Sequence, residues 1–191
     1  HTSPACMPPA PTLQPNTAAP IGVFDSGIGG LSVLRALRAQ LPHEHFVYFA
    51  DSAHAPYGER GEAFVLARSL AIAAQLLEQH HIKALVVACN TATAAAVRTL
   101  RAHYPDLPLV GIEPAIKPAA ASSRTRRVGV VATRGTIESE KLHRLIAQHG
   151  AGLCMFLLHR ADFLVGQFEG ITIFKRQIGG DIGADFGGGN S

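Results

Sequence analysis

The chain has 191 residues, of which 47% are hydrophobic and 16% are charged, and its formal net charge is +3. This balance supplies enough apolar side chains for a packed core and argues against intrinsic disorder. The weak positive charge, without a basic stripe and interleaved aromatic residues, argues against nucleic-acid binding. No apolar stretch reaches the ~20 residues that span a bilayer, so we expect no membrane association.

Cysteine, histidine and lysine positions bear on cofactors and location. The three cysteines lie far apart without CxxC or CxxH spacing, and the ten histidines form no ligand cluster. We therefore expect no metal site, no disulfide framework and a cytoplasmic location. Lysine is not found at the ends of the predicted strands where a Schiff base to pyridoxal phosphate would form, so we expect no cofactor.

The two ends of the chain differ from its middle. Residues 1–20 hold six prolines and no Lys or Arg, which predicts a disordered leader rather than a signal peptide. Residues 171–191 hold six glycines, which predicts an unrelated tail without regular structure. A frameshift or a premature stop would produce an ending of this kind.

Between residues 21 and 150, short apolar runs alternate with helical patterns. The predicted strands are 21–24, 46–50, 84–88, 109–112 and 128–132. The main predicted helices are 31–41, 62–79 and 91–103, and helical segments also follow the last two strands. Short apolar strands that alternate with helices indicate a parallel sheet covered on both faces. The sequence therefore predicts the α/β class, with a weak boundary signal at 117–123, where Pro, Ala and Ser cluster.

Each predicted strand ends in a small group of polar residues. These groups are Asp25-Ser26-Gly27, Asp51-Ser52 with Pro56-Tyr57-Gly58, Cys89-Asn90-Thr91, Glu113-Pro114, and Thr133. In an open α/β sheet, ligands bind in the crevice beyond the carboxyl ends of the strands. We therefore predict that these groups form one site.

Cys89 is the expected reactive atom of that site. It ends a buried strand and begins a helix, and the positive end of a helix dipole favours a thiolate. The alternative is that Cys89 fills the core as a small apolar residue. The polar residues that follow it, Asn90 and Thr91, favour the functional interpretation.

Asp25 precedes a glycine-rich turn whose spacing matches neither G-x-G-x-x-G nor G-x-x-x-x-G-K-[ST]. A carboxylate at a helix start suits a zwitterion better than a phosphate, because the amides attract the ligand's carboxylate while Asp25 attracts its ammonium. The alternative is that Asp25 caps the helix. Tyr57-Gly58 by itself also fits an ordinary surface turn, and Thr133 fits a helix cap.

Taken together, these segments closely resemble bacterial glutamate racemase. They are DSGIGGLSVL at 25–34, YFADSAHAPYG at 48–58, ACNTAT at 88–93, GIEPAIKPA at 111–119 and VGVVATRGT at 128–136. The resemblance runs from residue 21 to 136 and continues faintly to residue 170. It implies a two-lobed architecture of the Asp/Glu racemase type, with a first lobe at 21–118 and an incomplete second lobe at 119–170.

The resemblance also implies a cofactor-independent enzyme that interconverts L- and D-glutamate for peptidoglycan synthesis. In that family one cysteine removes the α-proton and a second, on the opposite face, donates one. Carried over by motif, Cys89 is one of these thiols and Asp25 assists catalysis. The residues implied to bind substrate are Asp25, Ser26, Tyr57, Gly58, Asn90, Thr91 and Thr133. A homodimer is left open for the full-length family.

The chain departs from the family pattern in its second half. The family's second cysteine lies in a Gly-Cys-Thr-His-Tyr-Pro stretch that this sequence lacks, and Cys154, in LCMF, is predicted to be a core residue. We therefore expect weak glutamate binding without efficient racemisation. The alternatives are a racemase of another amino acid such as aspartate, and a non-catalytic amino-acid-binding remnant.

Overall fold

The computed structural model of the chain describes residues 17–159, so the predicted tail and most of the predicted leader lie outside the described residues. A four-stranded parallel sheet forms the centre of the first lobe. Its strands are β1 (Ile21–Asp25), β2 (Phe46–Ala50), β3 (Ala84–Val87) and β4 (Leu109–Gly111). Their order in the sheet is β2-β1-β3-β4. The predicted α/β class is confirmed, and the predicted strand ends differ by one residue at most.

Helices cover both faces of this sheet. They are α1 (Leu31–Gln40), α2 (Glu62–His80), α3 (Asn90–His103) and α4 (Ile116–Ser122). The main core lies between the sheet and the pair α2 and α3, because the apolar residues of α2 recur every three or four positions and face inward. A smaller cluster joins α1 to the other face through Val33, Leu34 and Leu37.

A second, two-stranded parallel sheet follows, made of β5 (Arg127–Ala132) and β6 (Cys154–His159). Between its strands lie α5 (Arg134–Ile137) and α6 (Glu140–His149). The Ser139 hydroxyl caps α6 by accepting the Leu142 N–H at 3.2 Å.

One sequence prediction in this region needs correction. The sequence predicts Cys154 to lie in the core, but it is exposed, because it is the first residue of β6 and pairs with the exposed Arg127 at the start of β5.

The segment 117–123, where the sequence predicts a boundary, forms most of α4, which lies between the last strand of the first sheet and the first strand of the second. Pro118 is tolerated there because it occupies the first turn of the helix. The change from the first sheet to the second comes after this helix.

The carboxyl ends of both sheets approach each other. In a parallel sheet all strands end at the same edge, so the residues after β1 and β3 lie together. A contact between Thr91 and Thr133 brings the residue after β5 to the same edge. Helix α5, which follows β5, packs against α3 and against a short 3₁₀ helix at Tyr57–Glu59. Among residues 17–159 no helix is both long enough and apolar enough to cross a membrane.

Candidate functional site

Cys89 lies two residues beyond β3 and is the N-cap of α3. Its sulfur accepts the Ala92 N–H at 3.4 Å, and its thiol donates to the Ser26 hydroxyl with Sγ and Oγ 3.5 Å apart. The residue is only 7% exposed. The side chain belongs to the core cluster, while its sulfur faces the turn after β1. The reactive role of Cys89 stays a prediction.

Asp25 is the last residue of β1 and is buried. Its carboxylate accepts the Gly30 N–H at 2.9 Å, and Gly30 is the N-cap of α1. The Asp25 side chain therefore does bind the start of α1, since its carboxylate accepts an amide N–H there that has no partner within the helix. The Asp25 carbonyl also accepts the Asp51 N–H at 2.9 Å, which joins the ends of β1 and β2.

Tyr48, on β2, is not among the site residues that the sequence predicts. Its hydroxyl donates to the Gly27 carbonyl at 2.9 Å, inside the turn that carries Asp25 and Ser26. Burial, then the charge of Asp25 and a hydrogen bond with it, and then the charge of Cys89 raise the pKa of Tyr48 to about 12. A tyrosine within an apolar strand is typical of a residue that packs in the core. The sequence therefore does not indicate that the Tyr48 hydroxyl lies in the turn after β1.

Gly30 is tightly enclosed, which leads to a testable stability difference. A Cβ at Gly30 would lie 2.8 Å from the Asp25 Cβ and 2.9 Å from the Ala88 Cβ, whereas a Cβ at Gly27 would meet nothing within 4 Å. We expect Gly30→Ala to lower the free energy of unfolding by about 1–3 kcal/mol through overpacking. The matched variant Gly27→Ala should leave it nearly unchanged. Urea unfolding of both variants measures this difference, and equal losses would contradict it.

Asp51, directly after β2, is the centre of a second polar group. Its Oδ1 accepts Arg68 Nη2 at 2.8 Å and lies 2.9 Å from His54 Nδ1. Its Oδ2 accepts the Tyr57 hydroxyl at 2.6 Å and Arg68 Nε at 3.0 Å. Burial opposes ionisation, but these hydrogen bonds and the positive charge of Arg68 outweigh it and lower the pKa of Asp51 from 3.8 to about 2.

Tyr57 is 1% exposed and packs near the rings of Phe24 and Phe64. Burial and the hydrogen bond to Asp51 raise the pKa of Tyr57. Since its hydroxyl is bound to Asp51, the Tyr57 side chain anchors the loop rather than reaching a ligand. The loop can therefore contribute to binding chiefly through its backbone.

Gly58 and Thr133 join the two lobes. A Cβ at Gly58 would lie 2.4 Å from the Thr133 Cβ, so only glycine permits this approach. The Thr133 hydroxyl lies 3.0 Å from that of Thr91 and 3.1 Å from that of Thr136. Asn90, at the start of α3, is exposed. Thr91 and Thr133 are thus brought together beside the cysteine.

The predicted group Glu113-Pro114 has an ion pair with the second lobe. Glu113 is exposed and forms an ion pair with Lys141 of α6 at 3.1 Å. A cleft of about 1630 Å³ between the lobes is lined by Gly58, Thr91 and Glu113, among others, but not by Cys89 or Asp25. Within residues 17–159, no group of three His, Cys, Asp or Glu side chains is arranged to hold a metal ion.

Comparisons with known proteins give the family. The family model described as Asp/Glu/Hydantoin racemase matches residues 21–163. Glutamate racemase from Stutzerimonas stutzeri (strain A1501) is 56% identical over 134 residues, which cover 70% of this chain and 50% of that protein. The chain thus spans about half the length of the curated relatives it matches.

Two solved structures have similar folds. Escherichia coli glutamate racemase, in complex with L-glutamate and the activator UDP-MurNAc-Ala, is 40% identical with a TM-score of 0.70, over 77% of this chain and 55% of that one. Francisella tularensis glutamate racemase, in complex with D-glutamate, is 32% identical with a TM-score of 0.60, over 74% of this chain and 53% of that one. Given these matches, the chain belongs to the Asp/Glu/Hydantoin racemase family.

Proposed function

We propose that this chain forms the part of a glutamate racemase that binds glutamate and removes its α-proton. The observation that carries the proposal is the position of the Cys89 sulfur, at a helix N-terminus and 3.5 Å from the Ser26 hydroxyl. Relatives named glutamate racemase, and related structures that hold L- or D-glutamate, support glutamate as the substrate. The full-length protein would supply D-glutamate for peptidoglycan in the cytoplasm.

In the proposed reaction, the Cys89 thiolate acts as a general base. The α C–H bond breaks, an S–H bond forms, and the electron pair stays on the α-carbon, delocalised into the adjoining carboxylate. The Ala92 N–H donated to the sulfur, together with the helix N-terminus, stabilises negative charge on Cys89 before the transfer. Burial of the sulfur excludes water that would compete for the proton.

The surrounding residues suit an amino-acid zwitterion. Asp25 supplies the negative charge for the substrate ammonium, and Ser26, Asn90 and Thr91 supply short polar groups for its carboxylates. Tyr57 and Gly58 contribute through the loop that the Asp51 hydrogen bonds hold in place. Thr133 acts by its contacts with Gly58 and Thr91, which hold the second lobe against the first.

The proposal assigns one thiol base to the 191-residue chain. The sequence has no Gly-Cys-Thr-His-Tyr-Pro stretch, and Cys154 is exposed at the start of β6. One base can remove the α-proton, exchange it with solvent and return it to the same face. We therefore expect the chain to exchange the α-proton of one enantiomer without converting it to the other.

Incubation of the chain with L- or D-glutamate in D₂O tests this proposal. Proton NMR should show loss of the α-proton signal for one enantiomer, and chiral chromatography should show no conversion. Aspartate should exchange more slowly by about tenfold or more, the scale of discrimination that one methylene provides. Absence of exchange with both glutamate enantiomers would contradict the proposal, and faster exchange with aspartate would identify a different substrate. Conversion of L- to D-glutamate would show that a second acid is present.

A further inference from the structure

Tyr48 lies beneath the glycine-rich turn that follows β1. Its strand, β2, pairs with β1 so that Tyr48 is opposite Val23. The hydroxyl donates to the Gly27 carbonyl at 2.9 Å, and a Cβ at Gly30 would lie 3.0 Å from the same oxygen. The hydroxyl therefore binds the middle of the turn and leaves no room for a side chain at its end.

This turn also carries the groups that face the proposed base. Asp25 begins it, Ser26 follows, and the Ser26 hydroxyl is the group 3.5 Å from the Cys89 sulfur. The turn is held at one end by the Gly30 N–H bonded to Asp25, and in its middle by Tyr48 bonded to the Gly27 carbonyl. The Asp51 N–H, just after β2, holds only the Asp25 end of the turn, so the Tyr48 hydroxyl is the group that fixes the peptide after Ser26.

We propose that Tyr48 is a positioning residue that holds the Asp25–Gly30 turn, and with it the Ser26 hydroxyl, against Cys89. The inference rests on the proposed function, in which Cys89 is the base. Besides burial, the negative charges of Asp25 and Cys89 both raise the pKa of Tyr48. Because burial and these negative groups raise the pKa of Tyr48 to about 12, it remains a hydrogen-bond donor at neutral pH.

Tyr48→Phe removes only the hydroxyl and keeps the ring that packs on the smaller core cluster. The loosened turn should hold the Ser26 hydroxyl less firmly near the Cys89 sulfur. Iodoacetamide alkylation of Cys89, followed by peptide mass spectrometry between pH 6 and 10, should therefore reach its half-maximal rate at a higher pH in Tyr48→Phe than in the unmodified chain. The rate at neutral pH should be about three- to tenfold lower, the scale of one weakened hydrogen bond. Exchange of the glutamate α-proton should fall by a similar factor.

Tyr104→Phe is the matched control. Tyr104 is also half-buried, but it caps the far end of α3, ~20 Å along the helix from Cys89. We expect that variant to leave the alkylation profile and the exchange rate unchanged. Equal profiles for Tyr48→Phe and the unmodified chain would overturn the inference, as would an equal shift in Tyr104→Phe.

A measurement on the unmodified chain removes dependence on the folding of a variant. With ¹³C at the tyrosine Cζ, the chain's three tyrosines give three signals, and the spectra of Tyr48→Phe and Tyr104→Phe identify those of Tyr48 and Tyr104. Alkylation of Cys89 should shift the Tyr48 signal and leave that of Tyr104 in place; an unmoved Tyr48 signal would overturn the inference. If the chain exchanges no glutamate but Tyr48→Phe shifts the alkylation profile, the proposed function fails while the placement of Tyr48 stands.

Discussion

Replacement of Cys89 by serine should reduce deuterium exchange into glutamate by about 10²- to 10⁴-fold, the contribution of a positioned general base. A serine hydroxyl is not ionised at neutral pH, so it cannot remove the α-proton as a thiolate does. The fold should survive, because serine is a good N-cap and can accept the Ala92 N–H that the sulfur now accepts. Exchange is measured by NMR in D₂O.

Cys154→Ser provides the control for this loss. Cys154 is exposed on β6, so its replacement should leave both exchange and stability unchanged. Calorimetry should show that Cys89→Ser still binds glutamate, since the substitution removes a base and not a binding group. Undiminished exchange in Cys89→Ser would show that another residue is the base, and loss of exchange in Cys154→Ser would assign that role to Cys154.

Much of the first lobe could be predicted because its strands are buried. Parallel strands covered on both faces read as short apolar runs, and β1 and β3 show this pattern most clearly. The end of each run marks the point where the chain leaves the core. For this reason the amino-acid sequence alone places Asp25, Ser26, Cys89 and Thr91 at one edge of the sheet.

The parts that could not be predicted depend on pairings between distant residues. Cys154 reads as apolar in LCMF, and only its pairing with β5 places it at an exposed strand start. Arg68 reads as one of several solvent-facing arginines on a helix, yet it binds a carboxylate 17 residues away. Tyr48 reads as a packing residue. In each case the local sequence is compatible with more than one partner, and tertiary contacts decide which partner the residue has.

Glu113 shows how little the position after a strand settles. Both β1 and β4 are neighbours of β3, so strand order alone would bring Ser26 and Glu113 equally close to Cys89. Ser26 contacts the sulfur, whereas Glu113 lines the cleft with Gly58 and Thr91 and pairs with Lys141 of the second lobe. The position after a strand therefore identifies candidates, and tertiary contacts decide which of them meet Cys89.

Asp51→Asn should lower the free energy of unfolding by about 3 kcal/mol at pH 7, because it breaks a buried ion pair and leaves donors facing an amide. Asp51 is 4% exposed and accepts hydrogen bonds from Arg68 and Tyr57. Tyr57 would lose its anchor, so glutamate binding should weaken as well. Glu140→Gln, which breaks the exposed Glu140–Arg144 pair, is the control and should change stability by at most ~0.5 kcal/mol.

The effect of Asp51→Asn should also depend on pH. The pKa of Asp51 is lowered in the folded chain from 3.8 to about 2, since the hydrogen bonds and the charge of Arg68 outweigh burial. Between these values the unfolded chain binds more protons, so this stabilisation is complete above pH 4 and is lost as the pH falls towards 2. The difference in free energy of unfolding between the unmodified chain and Asp51→Asn should therefore decrease by about 2 kcal/mol in that range. Urea unfolding at intervals from pH 7 downward measures this difference. A difference that does not change with pH would show that Asp51 stabilises the loop by its packing and not by its charge.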